Sequence, residues 1–228
     1  MSFNTIDDVK QQGLMKTVAI FGGSGGLGNK LTPLLEKKYN VLSLSSKDVD
    51  ITDFESVERL FKFNTIDIVI NLAGVNYDTF LGKIYSTDMP DVERVLDVNI
   101  KGNINILANC LPNMINRKYG RIIGITSVLS DLNVPATAVY STTKAAVDKM
   151  YKVANKENIR YGITCNTIQL GYWEVGMIEQ LTPEFQEYTR KTIGLRRWGK
   201  MEELYNAIDF IINTEYYCGN NMKLNGGV

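Results

Sequence analysis

Histidine is absent from the 228 residues of this chain. That excludes every mechanism that needs an imidazole: Ser-His-Asp hydrolysis, Cys-His proteolysis and His-ligated zinc. Proton chemistry must then fall to carboxyl, tyrosine, lysine or cysteine groups. Cysteine is scarce, with Cys110, Cys165 and Cys218 widely spaced. An odd, scattered set reads as buried thiols, not as a disulfide frame or a metal site, and suits the reducing cytosol. Net charge is also missing, because 25 basic residues balance 25 acidic ones. No basic run invites nucleic acid or an anionic membrane surface. No stretch reaches the roughly 18–20 continuous apolar residues that cross a bilayer. The polar start, Met1 to Met15, has no apolar core of a signal peptide.

What is present is ordinary in amount and regular in order. Apolar residues make up 44% and charged residues 22%, the balance of a soluble globular chain. The length suits one sizeable core and is short for two. Thr17 to Phe21, Asn40 to Leu44, Ile66 to Leu72, Arg121 to Thr126, Gly162 to Gln169 and Asn221 to Leu224 read as strands. Helical periodicity runs over Leu27 to Tyr39, Asp91 to Asn116, Ser141 to Lys156 and Met201 to Asn213, and Thr182-Pro183 opens another helix. Pro112 predicts a kink, because it removes a backbone donor. Strands alternating with helices predict an α/β fold: one doubly wound parallel sheet of Rossmann type with helices on both faces. Residues 1–16 read as a flexible lead-in and residues 17–228 as the single domain.

A glycine-rich turn, Gly22-Gly23-Ser24-Gly25-Gly26-Leu27-Gly28, joins the first strand to the first helix. Strand, glycine turn and helix together present backbone N–H groups, those of Ser24 and Leu27 among them, to a pyrophosphate. Gly22 permits the tight turn, Gly26 lets phosphate approach, and Gly28 allows close helix–strand contact. The second strand ends in Ser45-Ser46-Lys47, with no acid before Asp48. Hydroxyls and a lysine suit a 2′-phosphate, so NADP is favoured over NAD. The alternative for Lys47 is a plain solvated charge.

Further along stand Asn99, Ser127, Tyr140 and Lys144. Tyr140 and Lys144 are four apart at a helix start and share a face. A free tyrosine has a pKa near 10, so only about one in a thousand is ionised at neutral pH. A nearby ammonium favours the phenolate, which makes Tyr140 a general acid in reduction and a base in oxidation. Ser127 can hold a carbonyl and stabilise the developing alkoxide.

With the glycine turn, Asp50-Ile51, Asn71-Leu72-Ala73-Gly74, Asn99, Ser127, Tyr140-x3-Lys144 and the closing Leu224-Asn225-Gly226-Gly227, the sequence resembles the short-chain dehydrogenase/reductase family. The likeness is to its compact 3-oxoacyl-carrier-protein-reductase-like members, from about Thr17 to Val228. The resemblance implies that Lys144 also binds the nicotinamide ribose and that Asn99 helps hold a proton-relaying water. It implies adenine contacts at Asp50 and Ile51, and a ribose lining of Asn71, Ala73 and Gly74. It places Gly171 and Trp173 in the loop near the nicotinamide. The chain departs from the family at Phe21 (usually threonine), Leu72 (usually asparagine), Leu170 (often proline) and Val175 (often threonine). None of these departures touches the proton-transfer set.

Gly171 to Arg197 is the expected substrate cover, with Tyr172 and Trp173 as aromatic surface and Leu129, Leu132 and Val134 as the opposite wall. Arg196 and Arg197 either meet an anionic substrate or are solvated. The reading is an NADP-dependent oxidoreductase of a small carbonyl or alcohol substrate. Its rivals are a catalytically silent dinucleotide sensor and a sugar-nucleotide epimerase or dehydratase. Apolar residues on more than one face of two helices predict a homodimer or homotetramer. They are Val98, Ile100, Ile106 and Cys110 on the first, and Val147, Met150, Tyr151 and Val153 on the second. The family commonly pairs through these helices.

Overall fold

The computed structural model describes residues 15–76 and 83–228. Most of the lead-in expected over residues 1–16 therefore lies outside the described residues. Lys16, at its end, is already tied to the sheet, since its carbonyl accepts the Asn40 N–H. Runs of β-branched and aliphatic residues form six strands: β1 (Thr17–Phe21), β2 (Asn40–Leu44), β3 (Ile68–Asn71), β4 (Gly120–Ser127), β5 (Ile163–Leu170) and β6 (Asn221–Leu224). All pairings are parallel, in the order β2-β1-β3-β4-β5-β6.

Alternate side chains feed the two faces, as the two-residue period of a strand demands. Val18, Ile20, Ile68, Ile70, Ile123 and Ile125 pack against α1 (Gly26–Leu35) and α7 (Met201–Asn213). Ala19, Phe21, Val69 and Ile122 pack against α2 (Phe54–Phe63), α4 (Gly102–Arg117) and α5 (Ala138–Asn158). Two shorter helices, α3 (Met89–Leu96) and α6 (Pro183–Thr192), complete the set used here. The chain leaves β1 for β2 on one side and returns to β3 on the other. The strand order therefore reverses beside the carboxyl ends of β1 and β3, where such sheets open a ligand crevice.

Two local expectations change. The stretch from Met89 to Arg117 departs from α geometry not at Pro112, which lies inside α4, but at Asp97–Lys101, which is π-helical. The extra residue of a π turn shifts the facing of the side chains around it, and here it carries Asn99. The helix α2 had no counterpart in the periodicity reading. Its signals are the Asp53 cap, which accepts the Glu55 N–H, and the buried pair Val57 and Phe61.

The apolar residues expected between subunits are also reassigned. Ile106, Cys110, Val147 and Tyr151 are all buried in the chain's own core between α4, α5 and the sheet. Val98, Ile100 and Met150 are partly buried against the same core. Leu96 at the end of α3, Ile104 on α4 and Val153 on α5 are exposed. A wide apolar arc on α4 and α5 thus reflects packing against both the sheet and each other. Val147→Asp should abolish cooperative folding, because it buries an unpaired carboxylate at a cost of several kcal/mol. Phe63→Gln, at a site 76% exposed, should leave the urea midpoint nearly unchanged. Urea unfolding followed by circular dichroism checks both.

Candidate active site

The carboxyl ends of β1 to β5 carry almost every residue singled out in the sequence. Phe21 pairs in register with Leu44 and Asn71, Asn71 with Gly124, and Ser127 with Leu170. Side chains just beyond these ends share one edge of the sheet.

The glycine turn is built by close backbone approach. Gly22 has φ +77°, and a side chain there would meet the Ala73 backbone at 2.8 Å. A Cβ at Gly28 would lie 2.5 Å from the Gly22 and Gly23 carbonyls, so glycine lets α1 start tight against the turn. Gly25 caps α1 without any side-chain bond, and no acid stands in the first turn. An uncapped start of this kind suits an anion. Ser24 is exposed and accepts Asn29 Nδ2 at 2.8 Å through its carbonyl, while Leu27 packs on the core. Gly26 is approached by the cover, for a Cβ on it would stand 2.7 Å from the Gly176 nitrogen. Lys30 and Glu174 pair at 3.6 Å across the same seam.

At the end of β2, Asp48 folds back on Ser45. Its carboxylate accepts the Ser45 N–H at 2.8 Å and the Ser45 hydroxyl at 2.6 Å. These bonds hold the Asp48 carboxyl below its usual range. Lys47 donates its N–H to the Ser45 hydroxyl at 3.2 Å, and Ser46 and Lys47 are exposed. Asp48, the first acid after β2, thus engages a residue expected to meet the phosphate. Asp50 accepts the Thr52 N–H and hydroxyl, and Ile51 is buried with its carbonyl accepting Asn105 Nδ2 at 2.8 Å.

After β3, Asn71 accepts the Ala73 N–H at 3.0 Å. Asn99 clamps the next turn: its carboxamide accepts the Val75 N–H and donates to the Val75 carbonyl, both at 2.9 Å. Asn99 Nδ2 also donates to Thr143 at 3.1 Å. Its side chain is therefore spent on backbone and on α5. A side chain at Gly74 would meet Lys144 Nζ at 3.0 Å and Asn99 Oδ1 at 3.4 Å. Gly74, Asn99 and Lys144 thus converge.

Lys144 is 5% exposed and donates to the Ile125 carbonyl at 3.0 Å. Burial pulls its pKa down to about 8. Its Nζ stands 5.6 Å from the centre of the Tyr140 ring, one turn back on α5. Ser127 lies two residues beyond Ile125 on β4, where its hydroxyl accepts the Leu129 N–H at 3.2 Å. Its carbonyl accepts Ser130, which in turn accepts Gln169 Nε2 at 3.0 Å. Ser130 and Gln169 were not singled out in the sequence, because a lone serine and glutamine carry no spacing signal.

The substrate side is less open than expected. Trp173 is 6% exposed, packs over Gly199 and belongs to the core, with its indole N–H unpartnered. It offers no free aromatic surface. Tyr172 is half-buried, and burial raises its pKa. Gly171 packs on Asn225 and donates to the Leu224 carbonyl at 3.0 Å. Leu129 and Leu132 are partly buried and Val134 is exposed. Arg197 is committed to Glu203 at 2.7 Å and 3.0 Å, and Arg196 donates to the Lys191 carbonyl. A cavity of about 90 Å³ lies behind Tyr172 and Trp173, and none of Ser127, Tyr140 and Lys144 lines it. It is too small to hold a substrate and is remote in lining from the converging groups. Among the described residues no helix is long and apolar enough to cross a membrane, and no acid or cysteine cluster is placed to hold a metal.

Comparison with known proteins agrees with this geometry. A family model for short chain dehydrogenases matches residues 34–186. That span holds Asn71–Gly74, Asn99, Ser127, Tyr140 and Lys144 and begins after the glycine turn. A 3-oxoacyl-[acyl-carrier-protein] reductase of Staphylococcus aureus is 27% identical, covering 94% of this chain and 98% of that protein. The corresponding reductase of Rickettsia conorii is 29% identical over 93% of this chain and 96% of its own length. Among solved structures, ElxO with NADP bound superposes with TM-score 0.83 at 21% identity, over 93% of this chain and 98% of that one. Sorbitol-6-phosphate 2-dehydrogenase from Erwinia amylovora gives 0.84 at 23% identity, over 92% and 98%. The chain belongs to the short-chain dehydrogenase family and is an NAD(P)-dependent oxidoreductase acting on carbonyl and alcohol groups.

Proposed function

We propose that this protein is an NADP-dependent reductase of small carbonyl substrates, with 3-oxoacyl thioesters as the leading class. One observation carries the reading: a buried Lys144 ammonium beside Tyr140, between Gly74, Asn99 and the Ile125 carbonyl. The glycine turn and the uncapped start of α1 fit a pyrophosphate. The bound cofactor supplies the hydride. Tyr140 gives the proton to the carbonyl oxygen and, in the reverse direction, takes it back. Lys144 favours the phenolate formed in between. Ser127 donates its hydroxyl to the same oxygen, while its Oγ accepts the Leu129 N–H. Asn99 fixes the Val75 turn against α5. The 27% identity to a 3-oxoacyl reductase, over 94% of this chain and 98% of that protein, supports this over an epimerase. The silent sensor keeps the nucleotide site without turnover, and a panel of ketones with NADPH separates the two.

Assembly into a homo-oligomer is part of the proposal, through the exposed Leu96, Ile104 and Val153 in place of the buried residues. Sedimentation at micromolar concentration reads it out.

Tyr140→Phe should keep the fold and the cofactor affinity and lower turnover by the roughly 10²–10⁴-fold of a lost general acid. Near-normal turnover on a verified substrate would overturn the mechanism. For the cofactor, Lys47→Ala should weaken NADPH binding about ten- to a hundredfold and leave NADH unchanged. Asp48→Asn should act the other way, because a 2′-phosphate must displace the carboxylate from Ser45. Titration calorimetry with both cofactors checks the pair, and a preference of the unmodified protein for NADH would reverse the assignment.

The buried lysine also has a signature in stability. Its proton is lost near pH 8 when folded and at 10.5 when unfolded, so below about 8 the folded state carries the full cost of a buried charge. Lys144→Met should therefore be more stable than the unmodified apoprotein by a few kcal/mol at pH 7. The gap should close as pH rises through the window from 8 to 10.5. Chemical unfolding at several pH values measures it, and a constant gap would place the ammonium in water.

A further inference from the structure

Neither Tyr151 nor Asn103 has been given a part in the site, yet they head a series of buried hydrogen bonds that leads to Tyr140. The Tyr151 hydroxyl donates to Asn103 Oδ1 at 2.9 Å. Asn103 Nδ2 donates to the Asn99 carbonyl at 2.7 Å. Asn99 Nδ2 donates to Thr143 Oγ1 at 3.1 Å, and that hydroxyl donates to the Tyr140 carbonyl at 2.8 Å. A branch enters at the second residue, where Asn71 Nδ2 also donates to Asn103 Oδ1 at 2.9 Å. All six side chains are at least nine-tenths buried.

We infer that Asn103 and Tyr151 are positioning residues for the proton-transfer site, holding the π-helical Asn99 turn and, through Thr143, the backbone of Tyr140. Asn103 is the junction. It takes two donors on its oxygen and gives one on its nitrogen, and so joins the end of β3, the π-helical stretch and α5. The path enters Asn99 at its main-chain carbonyl and leaves from its side-chain amide, so each link ties one element mechanically to the next. The phenol that starts it stays protonated, because burial raises the Tyr151 pKa far above its ordinary value.

The plain alternative is that Tyr151 fills space and Asn103 merely satisfies its hydroxyl. Two observations weigh against it. Asn103 also accepts Asn71 Nδ2 and donates to the Asn99 carbonyl, so it does more than satisfy the Tyr151 hydroxyl. The sheet also makes room for this ring: a side chain at Gly124 would meet Tyr151 Cζ at 2.6 Å. A phenylalanine would fill that volume equally well, so space alone does not call for the hydroxyl.

The inference rests on the reductase reading, and the test keeps the two apart. Steady-state rates are measured with NADPH and acetoacetyl-coenzyme A, and backbone amide exchange is measured on the apoprotein. Tyr151→Phe should lower kcat about three- to tenfold with little change in either KM, the effect of one buried hydrogen bond. Asn103→Leu should lower kcat by about tenfold or more, and adding Tyr151→Phe to it should cost nothing further. In Asn103→Leu the Ala73 and Val75 amides should exchange about tenfold faster or more, while those of β1 do not change. Unchanged kcat in Tyr151→Phe, additive losses in the double variant, or unchanged Ala73 and Val75 exchange would each overturn the inference. If Asn103→Leu fails to fold, Tyr151→Phe decides through its kcat and the same two amides. If the unmodified protein turns over no acetoacetyl-coenzyme A, the reductase reading loses its leading substrate, and the exchange data alone decide for or against the positioning role.

Discussion

A charged amine taken out of water must be repaid in place, and the site is arranged around that demand. Lys144 sits one turn beyond Tyr140 on α5, with its ammonium on the Ile125 carbonyl. Ile125 lies one residue past the last β3–β4 register pair, Asn71 with Gly124, where β3 no longer covers that edge of β4. Only a helix crossing behind the carboxyl edge can deliver the lysine to it. The parallel order of the sheet supplies both conditions at once, because every strand ends at the same edge. The remaining polar groups follow from the same arrangement. Asn99 and Asn71 fix the turn after β3, so Gly74 comes within reach of the lysine without a side chain in the way.

Much of this was legible because local and tertiary demands agreed. The strands β1, β2 and β6 and the helix α7 fall where their apolar patterns end. Turn chemistry marked α6, whose Thr182 cap accepts the Phe185 N–H. Asn99, Ser127, Tyr140 and Lys144 were legible only as an ordered set, since each alone is an ordinary packed or turn residue. What escaped the sequence had its cause in tertiary contact. Trp173 reads as aromatic surface because it falls in the expected cover segment, but Gly199 opens a slot that buries it. Val147 and Ile106 read as an intersubunit stripe because periodicity cannot tell a neighbouring helix from a neighbouring subunit. Nor does periodicity show a π turn, which is a change in hydrogen bonding and leaves no pattern of its own.

The cofactor end shows opposing demands in one short turn. Ser45 offers an N–H and a hydroxyl suited to a phosphate, and Asp48 has taken both. The carboxylate and Lys47 next to it pull cofactor choice in opposite directions. The cover adds a second constraint, for Gly176 rests against Gly26 at the very start of α1. The glycine turn and the segment after β5 therefore meet at Gly26, whose lack of a side chain permits the contact.

The central claim is that the converging groups at the strand ends direct a hydride from nicotinamide to a carbonyl carbon. The most direct measurement follows the hydrogen itself. NADPH labelled with deuterium at each face of C4 in turn is incubated with the protein and a 3-oxoacyl thioester, and the product alcohol is analysed by mass spectrometry. The account predicts deuterium on the carbinol carbon from one face only, equimolar with the NADP formed. NADPH that binds but passes no label to thioesters, ketones or sugars would contradict it.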